Sequence, residues 1–207
     1  VLARQGDALA LALADLGQPG VTCEALTGFD QLRPHYTLTF DAVAAEPLDA
    51  RPAGEVIGRL FDQAAVQAAF EAVGGADACL AMAVAHARER QIFGRSLGSF
   101  QAIKHKLADI AKDIELARSN AYYGGWAADN SAKDLPAAAA AARLSAIATF
   151  ERAARENIQV HGGIGYTFEA DCHFYYRRER TLAVSLGNRE AWADRLIAHL
   201  PHSQAAG

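Results

Sequence analysis

The chain has 207 residues, of which 51% are hydrophobic and 21% are charged, and its formal net charge is −4. This composition is typical of a globular protein, and a chain of this length buries about 70% of its unfolded surface in one or two domains. The slight acidic excess argues against nucleic acid as the main partner. The seven histidines lack the spacing of metal-binding motifs, so no metal site is predicted.

Features of the whole chain also predict where the protein resides. No apolar run looks long enough to span a membrane, and the first residues do not resemble a signal peptide. The three cysteines are widely separated, which indicates free thiols in a reducing compartment. We therefore expect a cytoplasmic protein without a membrane segment. Because the sequence begins with Val1 rather than Met, we also expect further residues upstream.

Short apolar or alternating runs, separated by turn residues, predict β-strands in residues 1–50. The four runs are Val1–Ala3, Ala8–Ala14, Gly20–Leu26 and Tyr36–Phe40. The run Ala8–Ala14 also suits a helical turn, because periodicity cannot separate the two at this length. Residues 50–54 then form a predicted linker into a helical region.

Residues 55–92 are predicted to form one long helix. Its apolar positions recur near the helical period and are Leu60, Ala64, Phe70, Val73, Cys79, Met82 and Val84. The pair Gly74 and Gly75 lies in its middle, where each glycine costs about 1 kcal/mol relative to alanine. That cost indicates close packing against another helix or a ligand at this point.

Four further helical segments are predicted after this helix. Their bounds are about 100–130, 135–161, Phe168–Arg180 and Arg189–Leu200. Asp134 is expected to cap the segment that follows it, with Pro136 in the first turn. The glycines after His161 are expected to end that segment, as glycine does at a helix C-terminus.

The turn between the first two helices contains Gly94 and Gly98 and is rich in positive charge. Its basic residues and those that flank it are Arg88, Arg90, Arg95, Lys104 and Lys106. Phe100 and Gln101 stand at the start of the next helix. A helix N-terminus beside an arginine suits an anionic group such as a pyrophosphate. The alternative is a basic helix–helix turn that is exposed to water.

Two motifs resemble those of the acyl-CoA dehydrogenase family. Residues 90–109 are similar to its R-x-x-F-G-x-x-x-x-x-F-Q-x-x-x-H-x-L-A-D signature, and residues 159–166 are similar to its Q-x-x-G-G-x-G-Y motif. The resemblance covers roughly residues 36–200 and implies a mainly α fold. Residues 51–207 would form the C-terminal four-helix-bundle domain of the family. Residues 1–50 would be the C-terminal part of its middle β-domain, a partial β-barrel segment.

The resemblance also implies FAD as cofactor and an acyl-CoA thioester as substrate. In this family a glutamate takes the α-proton of the thioester while the flavin accepts the β-hydride. Counting twenty-one residues on from Gly165 places one family base position at Leu186, and counting thirty residues back from Gly94 places the other at Ala64. No catalytic residue is therefore expected. Nearby acids could be a relocated base or plain helix-face charges, namely Asp62, Glu71, Glu179 and Glu190.

The residues that in family dimers reach the FAD of the neighbouring subunit are all present. By resemblance, Arg90 would pair with the pyrophosphate, while Phe93, Phe100 and Gln101 would line the same half of the cofactor. The adenosine end would meet four residues of the second motif, Gln159, Val160, Gly162 and Gly163. The two glycines would let the main chain approach the ligand closely.

This combination predicts a non-catalytic subunit of a heteromeric acyl-CoA dehydrogenase, similar to the α2β2 enzymes of actinobacteria. A second subunit would carry the glutamate, the acyl group would be bulky and steroid-like, and an electron-transfer flavoprotein or similar acceptor would take the electrons. One alternative is a self-sufficient enzyme whose base has moved to Glu71 or Glu179. Others are a flavin monooxygenase or oxidase, and a helical interaction module that binds no flavin.

Overall fold

The computed structural model describes residues 1–48 and 53–200. The chain divides into two units, of which one is Val1–Phe61 and the other begins at Asp62. This division lies inside the first helix. The predicted domain boundary at residue 50 and the start of the predicted linker lie outside the described residues, whereas Ala53 already belongs to that helix.

The first unit contains the four predicted strands and a fifth, two-residue strand that the sequence did not indicate. They are β1 (Leu2–Gln5), β2 (Ala8–Leu13), β3 (Val21–Leu26), β4 (His35–Phe40) and the additional β5 (Glu46–Pro47). Antiparallel pairing gives a three-stranded sheet in the order β1-β2-β5 and a separate β3-β4 ladder. The segment from Ala8 is thus a strand rather than a helical turn. Leucines on both sheets, such as Leu13 and Leu26, are largely exposed, as expected of an incomplete barrel.

Five helices are present among the described residues. They are α1 (Ala53–Glu89), α2 (Gln101–Asn130), α3 (Leu135–His161), α4 (Cys172–Val184) and α5 (Arg189–His199). A two-stranded hairpin, β6 (Gln91–Ile92) with β7 (Arg95–Ser96), joins α1 to α2. The mainly α fold is confirmed. Pro136 lies in the first turn of α3 as predicted, but the carboxylate of Asp134 accepts a hydrogen bond from Ser131 Oγ at 2.7 Å rather than capping the helix.

The buried face of α1 differs from the predicted stripe. Leu60 and Phe70 are exposed, although Val73 and Cys79 are buried as expected. Most of the buried positions are alanines, including Ala65, Ala68, Ala69, Ala72, Ala76, Ala83 and Ala87. Small side chains allow helices to approach closely, so burial in this bundle follows the alanine pattern rather than side-chain size.

The glycine pair of α1 shows one close contact. A Cβ atom built at Gly75 would lie 2.4 Å from Phe150 Cζ, which is far inside van der Waals distance, whereas a Cβ at Gly74 would meet nothing within 4 Å. The prediction of close packing is therefore right for Gly75 and wrong for Gly74. Gly75 is the notch that receives the Phe150 ring of α3.

Helix α1 is long and apolar enough to cross a membrane by length and composition alone. An 18-residue window has a mean hydropathy of 1.4, and 39% of that window is buried. The expectation that no apolar run reaches this length is therefore wrong. The core helix of a globular protein meets the same criterion, and four buried alanines of α1 share a core cluster with Ile110 of α2 and Phe150 of α3.

Candidate functional site

The segment between α1 and α2 is a tight β-hairpin rather than a simple helix–helix turn. Gln91 pairs with Ser96 and Ile92 with Arg95, which leaves Phe93 and Gly94 as the two turn residues. Their φ angles are 48° and 77°. Positive φ at both positions is the geometry of a type I′ turn, which suits glycine but strains a bulky aromatic residue.

The side chain of Phe93 projects from the tip of this hairpin. It is 92% exposed, and its ring centre lies 6.4 Å from that of Phe100 in an edge-to-face arrangement. The guanidinium carbon of Arg95 lies 3.9 Å from the centre of the Phe100 ring. Residues held in strained backbone conformations, such as Phe93, are concentrated at functional sites. The hairpin tip therefore presents an apolar ring beside a positive charge.

The main chain of Arg90 is fixed, whereas its side chain is exposed. Its N–H donates to His86 O at 2.9 Å, and its carbonyl accepts from the N–H of Leu97 at 2.7 Å. The guanidinium has no acidic partner among residues 1–48 and 53–200. An arginine held in this way can pair with an anion from outside the chain.

A small core cluster joins the hairpin to the end of α3. Ala83, Ala87 and Val160 are buried together, and Leu97, Ile103 and Leu107 pack against them. The side chain of Val160 therefore packs in the core, so that only its main chain could contact a ligand. A Cβ at Gly98 would approach Ala87 O to 3.0 Å, so this turn also sits closely on α1.

Two histidines bring the ends of α1 and α3 into direct contact. The rings of His86 and His161 stack with centres 4.2 Å apart, and His161 Nδ1 lies 2.8 Å from Asn157 O. Burial lowers the pKa of His86, and the nearby His161 and Arg90 lower it further. His86 is therefore held in its neutral form near neutral pH.

The glycines after α3 leave the main chain open. Gly162 ends the helix with φ 65°, as the sequence predicts for a C-terminal glycine. A Cβ at Gly162 or Gly163 would meet nothing within 4 Å, whereas a Cβ at Gly165 would collide with Ile158 O at 2.6 Å. Gln159 is exposed just before them. This segment therefore offers backbone and amide groups to a ligand, next to the histidine stack.

The two family base positions hold apolar side chains that pack. Leu186 is half-buried and contacts both the core cluster around Phe150 and the core cluster around Trp192. Its carbonyl accepts a hydrogen bond from Trp192 Nε1 at 2.9 Å. Ala64 is half-buried on α1. Neither position provides a group that could accept a proton.

Three of the four candidate acids, namely Asp62, Glu71 and Glu179, are engaged in ion pairs. Asp62 is buried and accepts two hydrogen bonds of 2.6 Å from Arg195. Glu71 accepts from Arg178 Nε at 2.7 Å. The fourth acid, Glu190, is exposed in the first turn of α5, where the helix dipole favours a negative charge.

Glu179 lies in the interior of the bundle. Its Oε2 accepts from Arg180 Nε at 2.6 Å, and its Oε1 has no partner in the part of the chain that the structure describes. Burial raises its pKa, and the adjacent Arg180 partly offsets that rise. Burial likewise raises the pKa of the Cys79 thiol to about 12, so this cysteine is not a reactive thiolate.

Sequence reasoning missed the histidine stack and a buried arginine, Arg143. Arg143 Nη2 donates to the carbonyls of Leu182, Ala183 and Gly187 at 3.2, 3.3 and 3.4 Å. It thus holds the end of α4 and the loop that contains Leu186. No local signal indicates either feature, because each joins residues that lie far apart in the sequence.

The family comparison matches most of the chain. The model of the acyl-CoA dehydrogenase C-terminal domain matches residues 54–200. Acyl-CoA dehydrogenase IpdE2 of Mycobacterium tuberculosis strain H37Rv is 44% identical over 119 residues, which cover 58% of this chain and 36% of that protein. Acyl-CoA dehydrogenase IpdE2 of Mycolicibacterium smegmatis is 34% identical over 181 residues, 86% of this chain and 56% of that protein.

Solved structures share the fold. A variant of the Tcur3481-Tcur3483 steroid ACAD, an acyl-CoA dehydrogenase, superposes with a TM-score of 0.85 at 29% identity, over 96% of this chain and 53% of that chain. The chain thus spans between about a third and just over half of the length of these relatives.

Proposed function

This chain belongs to the acyl-CoA dehydrogenase family, and we propose that it is a non-catalytic subunit of a heteromeric enzyme, contributing residues to an FAD held mainly by a second subunit. The proposal is carried by one observation. Residues suited to the ADP part of FAD lie on an open surface, whereas Leu186 and Ala64 occupy the positions of the family base.

The exposed surface fits the ADP part of FAD. Arg90 offers a guanidinium without an acidic partner among the described residues, which suits the pyrophosphate. Phe93 offers an exposed ring, and Gln101 and Gln159 offer exposed amides. The main chain at Gly162–Gly163 is open to close approach by a nucleoside. FAD supplies the hydride chemistry when bound, and this chain's own part is to bind and orient it.

The chain's own acids do not suit the role of base. Abstraction of the α-proton requires a carboxylate that faces the thioester in a dry pocket. Asp62 and Glu71 are engaged by arginines, and Glu179 lies inside the bundle beside Arg180. A complex containing this chain would therefore take its glutamate from the second subunit. The interior position of Glu179 also argues against the self-sufficient alternative.

The name of one relative supports a second subunit as the partner and a steroid-like acyl-CoA as the substrate class. The Tcur3481-Tcur3483 steroid ACAD, 29% identical to this chain, carries two component names and the word steroid. We accordingly propose an α2β2 assembly with a second acyl-CoA dehydrogenase subunit and a bulky, steroid-like acyl-CoA as substrate. An electron-transfer flavoprotein or a similar acceptor would reoxidise the flavin.

The flavin content of the assembled complex tests this function. We expect Arg90→Ala to weaken the apparent affinity of the complex for FAD by at least about tenfold, since a charge-assisted contact to the pyrophosphate is lost. The purified variant complex should therefore contain fewer FAD molecules than the native complex. Arg59→Ala is the matched control, because Arg59 is exposed near the start of α1 and is not part of the proposed flavin surface. Equal flavin content in Arg90→Ala and the native complex would exclude the proposed contact.

A further inference from the structure

A cavity of about 190 Å³ lies between α3, α4 and α5. Arg143, Arg189 and Trp192 are among the residues that line it. We propose that this cavity binds a small carboxylic acid with a compact apolar body, as its anion. The cavity shares no residue with the proposed flavin surface, so its ligand is tested separately from the flavin role.

The first observation is an incompletely paired charge. Arg143 is only 2% exposed, and its Nη1 is buried without a hydrogen-bond partner in the described part of the chain. Its Nη2 donates to three carbonyls, but none of its contacts is a carboxylate. A guanidinium remains charged in proteins, and a buried charge is costly unless an opposite charge accompanies it. An anion in the adjoining cavity would provide that charge.

The second observation is a further positive group at the same cavity. Asn188 and Arg189 begin the 11-residue helix α5, whose N-terminus carries the positive end of the helix dipole. Arg189 is exposed and forms no ion pair within the described ranges. Glu151 also lines the cavity and forms an ion pair of 2.7 Å with Arg180, which also bonds Glu179. Of the charged residues that line the cavity, Arg143 and Arg189 have no ion pair in the described part of the chain, whereas Glu190 in the first turn of α5 does not line it.

The remaining walls are apolar and set the size of the ligand. Leu144, Ile147, Val184 and Trp192 line the cavity, and the Arg143 guanidinium lies 5.5 Å from the centre of the Trp192 ring. An engineered apolar cavity of about 150 Å³ in another protein accommodates benzene. A volume of about 190 Å³ thus suits an acid of the size of benzoate or a short branched fatty acid.

The test uses the purified full chain in its native assembly and two matched probes. Binding of 4-fluorobenzoate is measured by ¹⁹F NMR and compared with that of uncharged 4-fluorobenzamide. We expect the carboxylate to bind roughly tenfold more tightly or better, because a charge-assisted hydrogen bond is worth that factor. Benzamide that binds as well as benzoate would overturn the assignment of an anion site.

Variants identify where the probe binds. Arg189→Gln should weaken 4-fluorobenzoate binding about tenfold, and Ala148→Phe should abolish it by filling the cavity. The variant Arg88→Gln, at an exposed position near the end of α1 that does not line the cavity, should bind the probe as the native chain does. Arg143→Gln is a weaker test, since the same side chain holds α4. If 4-fluorobenzoate still binds the Ala148→Phe variant, or does not bind the native chain, the proposed anion site is wrong. Arg143 would then serve only to bind the main-chain carbonyls at the end of α4.

Discussion

The rings of His86 and His161 stack with their centres 4.2 Å apart and their planes 29° apart. His86 lies four residues before Arg90, and His161 directly precedes Gly162. The stack therefore joins the two halves of the proposed flavin surface, which are separated in the sequence by α2 and most of α3. This contact is a physical reason why two motifs so far apart in the chain could contribute to the one proposed surface.

The pKa of His86 predicts a pH dependence of stability. Its pKa in the folded chain is below the ordinary value of about 6.5. The unfolded chain then binds more protons between these two pKa values, so the stability contributed by neutral His86 is complete above about pH 6.5 and is lost as the pH falls through the folded pKa. We expect thermal unfolding to move to lower temperature in that window, and His86→Phe to remove part of this dependence. An unchanged pH dependence in the His86→Phe variant would contradict this account.

Phe93 should show opposite effects on stability and on flavin binding. Phe93→Gly relieves the positive φ of 48° and should stabilise the chain by about 1 kcal/mol, while it removes the exposed ring and lowers flavin content. Phe93→Ala is the matched control, because it removes the ring but keeps a strained Cβ. Thermal melts and flavin absorbance measure the two effects. A destabilised glycine variant, or full flavin content in both variants, would contradict this account of the hairpin.

The two adjacent glycines of α1 should respond to alanine with opposite signs. Gly75→Ala would place a methyl group 2.4 Å from Phe150 Cζ and should destabilise the chain by about 1–3 kcal/mol. Gly74→Ala meets open space on a helix and should stabilise it by about 1 kcal/mol. Urea unfolding measures both free energies. Similar changes in the free energy of unfolding for the two variants would contradict the close contact between Gly75 and the Phe150 ring.

Asp62 should matter for stability and not for turnover. Its carboxylate is buried and paired with Arg195, so Asp62→Asn should reduce the free energy of unfolding by about 3 kcal/mol. Asp194→Asn changes an exposed neighbour and should have little effect. The folded Asp62→Asn variant should still support dehydrogenation in the complex. A variant that folds normally but abolishes turnover would instead identify Asp62 as the base.

The elements that depend on local chemistry were predictable from the sequence. Turn residues and alternating runs predicted β2, β3 and β4 within one or two residues, and Gly162 ends α3 where a glycine cap was expected. These features depend on the conformational preferences of neighbouring residues alone. The hairpin was missed because Phe93, a residue disfavoured at positive φ, occupies one of its turn positions.

The features that depend on distant contacts were not predictable in the same way. The stripe of α1 was assigned to its large side chains, but Phe70 is 38% exposed and Ala72 is buried, because close helix packing selects small residues. Motifs identified Arg90 and Gly162 separately, yet nothing in either motif shows that they share a surface. The pairing of Arg143 with the end of α4 likewise joins residues about forty positions apart.

The most direct test of the central claim is native mass spectrometry of the complex, purified without a tag on this chain. We expect a heteromer that contains a second acyl-CoA dehydrogenase subunit and half as many FAD molecules as chains. That stoichiometry follows if each flavin sits between one subunit that supplies the base and one that supplies the Arg90 surface. A homo-oligomer with one FAD per chain would contradict the account and would return attention to Glu71 and Glu179 as the base.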